Sequence, residues 1–331
     1  MRVFRRRFLA GLALGFVIIV GLALAGDVRQ VGVHLQRFAW QLTPLVLTGT
    51  LFNYTLRFVK WHFYVRIMGA TDFPAKESAR VFVAGFPLAL TPGKVGEALK
   101  AVWLQQRASI PFARGLPIVA AERISDGLAV LVLSTLGVIT YPRYWPAFAG
   151  IAGLLIGVIF FTQARRPVLA VLERVERFHV IARFGPALRE AYEGAYQLFR
   201  PLPTLAAVGL GAVAWLGEGL AFYLILIGLG VAPGMNLLVS AVFILAFSTA
   251  IGGASALPGG LGAADATIAG MLTLLVGLPV STAAAATLLI RFGTLWFGVG
   301  LGLAAWALSP DLMGQTEPPA RPSVAREELS S

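Results

Sequence analysis

Long apolar runs are the feature of this sequence that most constrains its fold. A helix needs about 20 mostly apolar residues to cross a bilayer, and six segments are of this kind. They are 8–25, 42–58, 116–140, 146–161, 205–229 and 282–308. Only 13% of the residues are charged, against about 25% in a soluble domain, so the chain cannot cover a water-soluble surface. The sequence predicts an all-α polytopic membrane protein.

Two further apolar stretches are interrupted by Pro and Gly. The stretch 78–104 is broken at 91–93, and the stretch 237–278 is broken at 255–260. Non-helical backbone at membrane depth is tolerated only where it is buried in protein or lines a cavity. We interpret both stretches as re-entrant hairpins of two half-helices, which gives eight membrane segments in all. Kinked or paired ordinary helices are the alternative.

The two breaks carry related motifs. PGKVGEA occupies 92–98 and PGGLGAA occupies 258–264, so the motifs lie 166 residues apart. Three predicted crossings separate them, and a hairpin entered from one side is therefore matched by one entered from the other. The pattern predicts an inverted repeat with halves at about 40–162 and 203–308, within one transmembrane domain, 1–310. The remaining residues, 311–331, are predicted to be a disordered cytoplasmic tail.

The basic residues orient the predicted helices. Of 27 Lys and Arg, 20 fall on predicted inner segments, Arg57 and Lys60 included, and three fall on outer loops, which places both termini in the cytoplasm. The net charge of +11 therefore indicates the orientation of an inner membrane protein. It does not indicate a nucleic acid partner. The start of the chain also resembles a cleavable secretory signal, but the later topology favours an uncleaved first helix.

The longest inner segment, 163–203, is rich in Arg and Glu. Leu169, Leu172, Val175 and Phe178 recur in it at helical spacing. This pattern predicts a basic amphipathic helix, either at the inner headgroup layer or as a solvated linker between the repeat halves.

Charged residues within the apolar segments indicate a site, because a charge at mid-membrane costs about 2.5–3.5 kcal/mol. Lys94, Glu97 and Arg123 lie in or beside a broken helix. Half-helix N-termini at the breaks would also present free N–H groups suited to a phosphate. The alternative is that buried acids such as Glu122, Asp126 and Glu218 only neutralise buried arginines. The candidate lipid-binding residues are Pro92, Gly93, Lys94, Gly96, Glu97, Glu122, Arg123, Asp126, Pro258, Gly259, Gly262, Asp265 and Arg291.

The sequence contains no motif that indicates catalysis or cofactor binding. There is no cysteine, the three histidines are far apart, and no Walker A motif follows the pattern GxxxxGK[ST]. We therefore expect no catalytic residue, metal or cofactor.

The motifs together resemble a known family, the transmembrane region of lysylphosphatidylglycerol synthase and its stand-alone flippase-like relatives. The matching pieces are R-x-x-K-W at 57–61, the motif at 92–97, E-R-x-x-D at 122–126, the motif at 257–262, and Arg291. The resemblance implies an inner-membrane protein that moves a lipid between leaflets. In fused members this region flips an aminoacylated phosphatidylglycerol made by a synthase domain; we do not expect lysyl transfer from this chain. Asp265 stands where the resemblance leads us to expect Glu.

Three functions remain open at this point. A lipid translocase would carry a phospholipid or a polyprenyl-phosphate lipid past the hairpins. A membrane-embedded enzyme such as a polyprenyl-diphosphate phosphatase would need Ser and Arg directly after each Pro-Gly, where this chain has Lys94-Val95 and Gly260-Leu261. A scaffold for a separate lipid-modifying enzyme would use the basic segment 163–203.

Overall fold

The structure is a computed structural model that describes residues 2–176 and 183–313. Within these residues the chain forms fourteen α-helices and no β-strand, which confirms the predicted all-α architecture. The helices are α1 (Arg2–Ala25), α2 (Val28–Arg37), α3 (Thr43–Ile67), α4 (Ala75–Ala84), α5 (Leu99–Ala108), α6 (Phe112–Thr140), α7 (Trp145–Gln163), α8 (Arg165–Glu176), α9 (Gly185–Leu198), α10 (Pro201–Gly228), α11 (Met235–Ala254), α12 (Ala263–Met271), α13 (Val280–Arg291) and α14 (Phe297–Ala307).

The six predicted crossings all correspond to long helices. Helices α1, α3, α6, α7 and α10 have 24, 25, 29, 19 and 28 residues, and α13 continues through a π-helical turn into α14 as a 28-residue unit. At about 1.5 Å per residue, each is close to or longer than a hydrocarbon core of about 30 Å. No residue of helix α7 is fully buried, as expected of a helix that faces lipid.

Both predicted breaks are present, but the arms beside them differ in length. In the first hairpin, α4 and α5 have ten residues each, about half of a crossing. In the second, α11 has 20 residues and the segment Pro258–Val276 has 19, so each arm is long enough to cross. Either arrangement returns the chain to the same side, and the predicted order of inner and outer loops is unchanged.

The two breaks meet inside the bundle. The Gly93 N–H donates a hydrogen bond of 2.9 Å to the carbonyl oxygen of Ala256. Gly93 and Gly259 have φ angles of +59° and +60°, a left-handed conformation that glycine adopts without a steric penalty. The Pro-Gly pair therefore supplies the same turn in both halves.

The repeat continues beyond the motifs with a different register. Four pairs of corresponding positions lie 168 residues apart, namely Glu97 and Asp265, Ser109 and Gly277, Pro111 and Pro279, and Arg123 and Arg291. Ser109 and Gly277 both have left-handed backbone, and Pro111 and Pro279 both precede the first residue of a long helix. The second half thus has two extra residues between the Pro-Gly turn and its acid, where the motif alone indicates 166.

Small residues let the central helices approach closely. A Cβ at Gly49 of α3 would lie 2.8 Å from the carbonyl oxygen of Gly217 of α10, and one at Gly211 would lie 2.8 Å from the Cβ of Ala129 of α6. Close backbone contact of this kind is the usual means of packing helices in a bilayer. It brings α3, α6 and α10 together around the charged interior.

Contacts near the helix ends follow the predicted sidedness. Predicted inner segments pair with one another through Arg80 and Asp311, Arg114 and Glu190, and Arg165 and Glu193. The predicted outer segment with Ala39 and His34 contacts Gly228 and Thr282, which lie at the outer ends of two predicted crossings.

The predicted linker and the end of the membrane domain are both partly described. Segment 163–203 contains helices α8 and α9, while Phe178 lies outside the described residues. After α14 the chain forms a further helical turn, Pro310–Met313. Asp311 pairs with Arg80 at 3.1 Å, and Trp103 donates to the Leu312 carbonyl at 2.9 Å. Residues 314–331 lie outside the described part of the chain.

Candidate functional site

A buried ion network joins α3 to α6. Arg57 places its Nη2 3.0 Å from Glu122 Oε1 and its Nε 3.1 Å from Asp126 Oδ2. Lys60 Nζ lies 2.5 Å from Asp126 Oδ1. The cations are three residues apart on α3 and the acids four apart on α6, so each pair lies on one helix face. All four side chains are buried.

The first hairpin completes this network. Lys100 Nζ lies 2.9 Å from Glu122 Oε2 and 4.8 Å from the Trp61 ring centroid. Arg123 places Nη2 3.0 Å from Glu122 Oε1 and Nε 2.8 Å from Glu97 Oε2. Glu122 is fully buried and binds cations from three different elements. This carboxylate is therefore the junction that fixes the first break against α3 and α6.

Arg57, Lys60 and Lys100 were absent from the predicted site. The sequence count placed Arg57 and Lys60 on the inner side, because they lie at and just after the end of the apolar run 42–58. The structure corrects this: α3 continues to Ile67, and both cations are buried. Carboxylates on α6 neutralise them, which lowers the cost of placing cations inside the bundle. The R-x-x-K-W spacing, with both cations on one helix face, is the sequence signal that points to them.

The second half repeats one part of the network. Arg291 Nε lies 2.6 Å from Asp265 Oδ1, and its Nη2 lies 3.2 Å from Oδ2 and 3.3 Å from the carbonyl oxygen of Gly260. Asp265 also accepts a hydrogen bond of 2.8 Å from the Gly262 N–H, which caps the start of α12. An acid beside a break is thus paired with an arginine 26 residues later in both halves.

A cavity of about 810 Å³ lies between the two halves. Its walls contain both Pro-Gly turns, through Gly93 and Gly259. The charged side chains that line it come from four helices and the first break, and they are Arg57, Glu97, Arg123, Asp126, Glu218 and Arg291. Buried charges of both signs therefore face one space inside the membrane domain.

One side of this cavity is apolar and open. Leu154 of α7 and Val95 of the first break line it and are 64% and 60% exposed. Ala120 of α6 and Gly253 of α11 are exposed beside them. The cavity therefore combines a charged wall with an apolar margin on the lipid-facing side of α7.

The backbone at the breaks differs from the predicted phosphate cradle. The Gly93 N–H is bonded to Ala256, and the Gly96 N–H donates to Thr91 Oγ1 at 2.8 Å. The Gly262 N–H is capped by the adjacent carboxylate. These N–H groups are satisfied inside the protein, so guanidinium groups are the better anion-binding groups of the cavity.

The predicted site residues fall into three sets. Glu97, Glu122, Arg123 and Asp126 form one network, and Asp265 and Arg291 form a second pair. Gly93, Gly96, Pro258, Gly259 and Gly262 form the two breaks. The side chains of Pro92 and Lys94 lie outside the described part of the structure, and the charge expected from Lys94 stays a prediction.

These features define a polytopic integral membrane protein with a charged cavity between two related halves. The chain belongs to the family of the lysylphosphatidylglycerol synthase TM region, whose family model matches residues 8–302, as the sequence motifs predict. It is similar to a UPF0104 membrane protein from Methanothermobacter thermautotrophicus, with 26% identity over 227 residues. That match covers 62% of this chain and 66% of the relative, slightly less than two thirds of its length. No solved structure matches the chain.

Proposed function

We propose that this protein is a lipid translocase that moves a phospholipid or a polyprenyl-phosphate lipid between the leaflets of the inner membrane. The observation that carries the proposal is the cavity, where Arg123 and Arg291 from the two halves face one space beside both broken helices. A volume of about 810 Å³ falls within the roughly 300–1,000 Å³ of small-molecule sites. It suits a lipid headgroup, while the acyl chains stay at the apolar margin.

The arrangement addresses the main barrier to lipid exchange. A charged headgroup in hydrocarbon lacks partners, and each unsatisfied polar group there costs several kcal/mol. The guanidinium groups of Arg123 and Arg291 can exchange their carboxylate partners for phosphate oxygens, because a guanidinium group binds phosphate through two N–H donors. In an inverted repeat, rocking of one half against the other would expose such a site to each side in turn.

Transfer between leaflets makes and breaks no covalent bond, so the proposal includes no enzymatic step. The proposed partners are the transported lipid, the surrounding membrane and a separate enzyme that makes or modifies that lipid. We place the protein in the inner membrane with both termini in the cytoplasm, on the basis of the basic-residue count. With Arg57 and Lys60 removed from it, 18 basic residues remain on inner segments against three outside.

The test is leaflet exchange in proteoliposomes containing the full chain. Fluorescent phosphatidylglycerol, phosphatidylethanolamine and a polyprenyl phosphate are the probes, and Arg291→Gln is compared with Arg143→Gln, an outer-loop control. We expect the wild type and R143Q to exchange at least one anionic or zwitterionic lipid faster than protein-free vesicles, and R291Q to be about tenfold slower. Arg291→Lys, which keeps the charge, checks folding. Wild-type exchange no faster than in empty vesicles contradicts the proposal, and release of phosphate from a polyprenyl diphosphate favours the enzyme.

A further inference from the structure

Glu218 is a buried acid in the middle of α10, beside the glycine that contacts α3. It is 4% exposed and lines the cavity. Unlike the other acids of the cavity, it makes no hydrogen bond or ion pair with any residue of 2–176 or 183–313. A nine-tenths buried carboxylate that faces a cavity without a partner is an available site for a positive charge.

The groups near Glu218 come from the helices that pack against α10. These helices are mainly α3, α6, α11 and α13. Tyr54 and Arg57 face it from α3, Asp126 from α6 and Arg291 from α13. Helix α11 contributes no charged residue.

Each of these neighbours already has a partner. The Tyr54 hydroxyl donates to the Thr294 carbonyl at 2.6 Å. Arg57 is held by the acids of α6, and Arg291 by Asp265. The charge of Glu218 is therefore left to water, a proton or a ligand in the cavity.

The charges of the described interior balance only when Glu218 is ionised. Its basic members are Arg57, Lys60, Lys100, Arg123 and Arg291, and its acidic members are Glu97, Glu122, Asp126, Glu218 and Asp265. Four acids are paired with the five cations. Protonation of the fifth acid leaves the interior with one net positive charge. A phosphodiester headgroup carries one negative charge and restores neutrality.

We propose that Glu218 binds one proton when one lipid phosphate enters the cavity, so that the two cross the membrane together. This inference rests on the proposed function and adds its coupling ion. The proton passes from water to the Glu218 carboxylate on one side and returns to water on the other, with no covalent change in the lipid. An unpaired ionised carboxylate in a low-dielectric interior is costly, and proton uptake removes that charge.

The first test measures proton uptake on binding. The purified full chain is titrated calorimetrically with dihexanoyl phosphatidylglycerol in buffers of different ionisation enthalpy. We expect the wild type and Glu173→Gln, a surface control, to take up one proton per lipid and to bind up to about tenfold more tightly for each pH unit lowered while Glu218 titrates. Glu218→Gln, which keeps the positive interior, should bind without proton uptake at any pH. Equal uptake by inorganic phosphate overturns the assignment to a lipid.

The second test measures the charge that crosses the membrane. Phosphatidylglycerol exchange in proteoliposomes should not respond to an imposed membrane potential in the wild type, because a proton and a monoanion move together. In E218Q the lipid moves alone and its exchange should follow the potential. Wild-type binding with no proton uptake overturns the coupling even if E218Q does not fold. A wild type that neither binds nor exchanges lipid at any pH instead contradicts the proposed function.

Discussion

The two halves of the molecule use the same acid–arginine pair in different surroundings. In the first half, Glu97 and Arg123 belong to a network of seven charged side chains that ties the break to α3 and α6. In the second half, Asp265 and Arg291 form a single pair, and Gly260 supplies the one further acceptor among the described residues. Both pairs follow the same spacing, and Arg123 and Arg291 line the same cavity, so the difference lies in what supports each pair.

This difference indicates a division of roles. Separating the first break from α6 would leave several buried charges without partners, and each costs several kcal/mol. Separating the second break from α13 would expose a single pair, Asp265 with Arg291. We expect the first half to be the fixed part of the domain and the second half to be the part that moves during transport.

The largest effect is expected from Glu122→Gln. This change removes the charge that Arg57, Lys100 and Arg123 share and should lower the free energy of unfolding by about 3–5 kcal/mol. Thermal unfolding in detergent measures it, with Glu173→Gln on the surface as the control. Equal melting temperatures for E122Q and the control would show that the network does not hold the first half.

A smaller effect is expected from Asp265→Asn. Arg291 keeps its bond to the Gly260 carbonyl and can turn toward the cavity, so the loss should be about 1–3 kcal/mol. The double variant Asp265→Leu with Arg291→Met removes both charges and should lose less stability than the sum of the single changes. A D265N loss as large as that of E122Q would remove the proposed distinction between the halves.

Asp265→Glu separates the two contacts of this acid. The longer side chain can keep the pair with Arg291 but moves away from the Gly262 N–H that Asp265 caps at 2.8 Å. We expect a loss of about 1 kcal/mol in unfolding free energy, the usual value of a cap. A more stable D265E variant would show that the cap contributes nothing at this break.

The smallest effect is expected at the end of the first hairpin. Burial raises the pKa of Glu77, but hydrogen bonds and charges from Arg80 and Arg107 outweigh burial, and the net pKa is lowered. Stability from this group is present above the unfolded pKa of about 4.3 and is lost as pH falls below it. At pH 7, Glu77→Gln should therefore lower the free energy of unfolding by no more than about 1 kcal/mol, because the pair is partly exposed. The melting temperature should fall slightly. The difference between E77Q and the wild type should decrease as pH falls below that value; a difference that stays constant down to acid pH assigns the effect to packing.

The helices and breaks were predictable because apolar length and Pro-Gly pairs act locally. The long helices follow from runs such as 205–229, and both breaks occur where the backbone loses a donor at Pro92 and Pro258. The contacts of the charged residues depend on tertiary packing. Lys60 and Lys100 are buried because carboxylates on α6 contact them, and the spacing of residues along α3 or α5 does not show which acids of α6 they contact.

The repeat shows the same limit. The matching motifs correctly relate Gly93 to Gly259, but two extra residues shift the acids and everything after them to an offset of 168. The equivalence of Glu97 and Asp265 becomes clear only in the structure, where each acid is paired with the arginine 26 residues later. The sequence also did not indicate the hydrogen bonds at the breaks. Thr91 and Asp265 accept hydrogen bonds from N–H groups that an uncapped half-helix would leave free for a ligand.

We expect the two halves to be inverted with respect to the membrane. Phe112 and Val280 begin corresponding helices 168 residues apart and are 38% and 50% exposed. The chain has no cysteine, so Phe112→Cys and Val280→Cys can each be labelled with a membrane-impermeant thiol reagent without background. We expect residue 112 to be labelled only from the cytoplasmic side and residue 280 only from the outer side. Labelling of both positions from the same side would rule out the inverted arrangement.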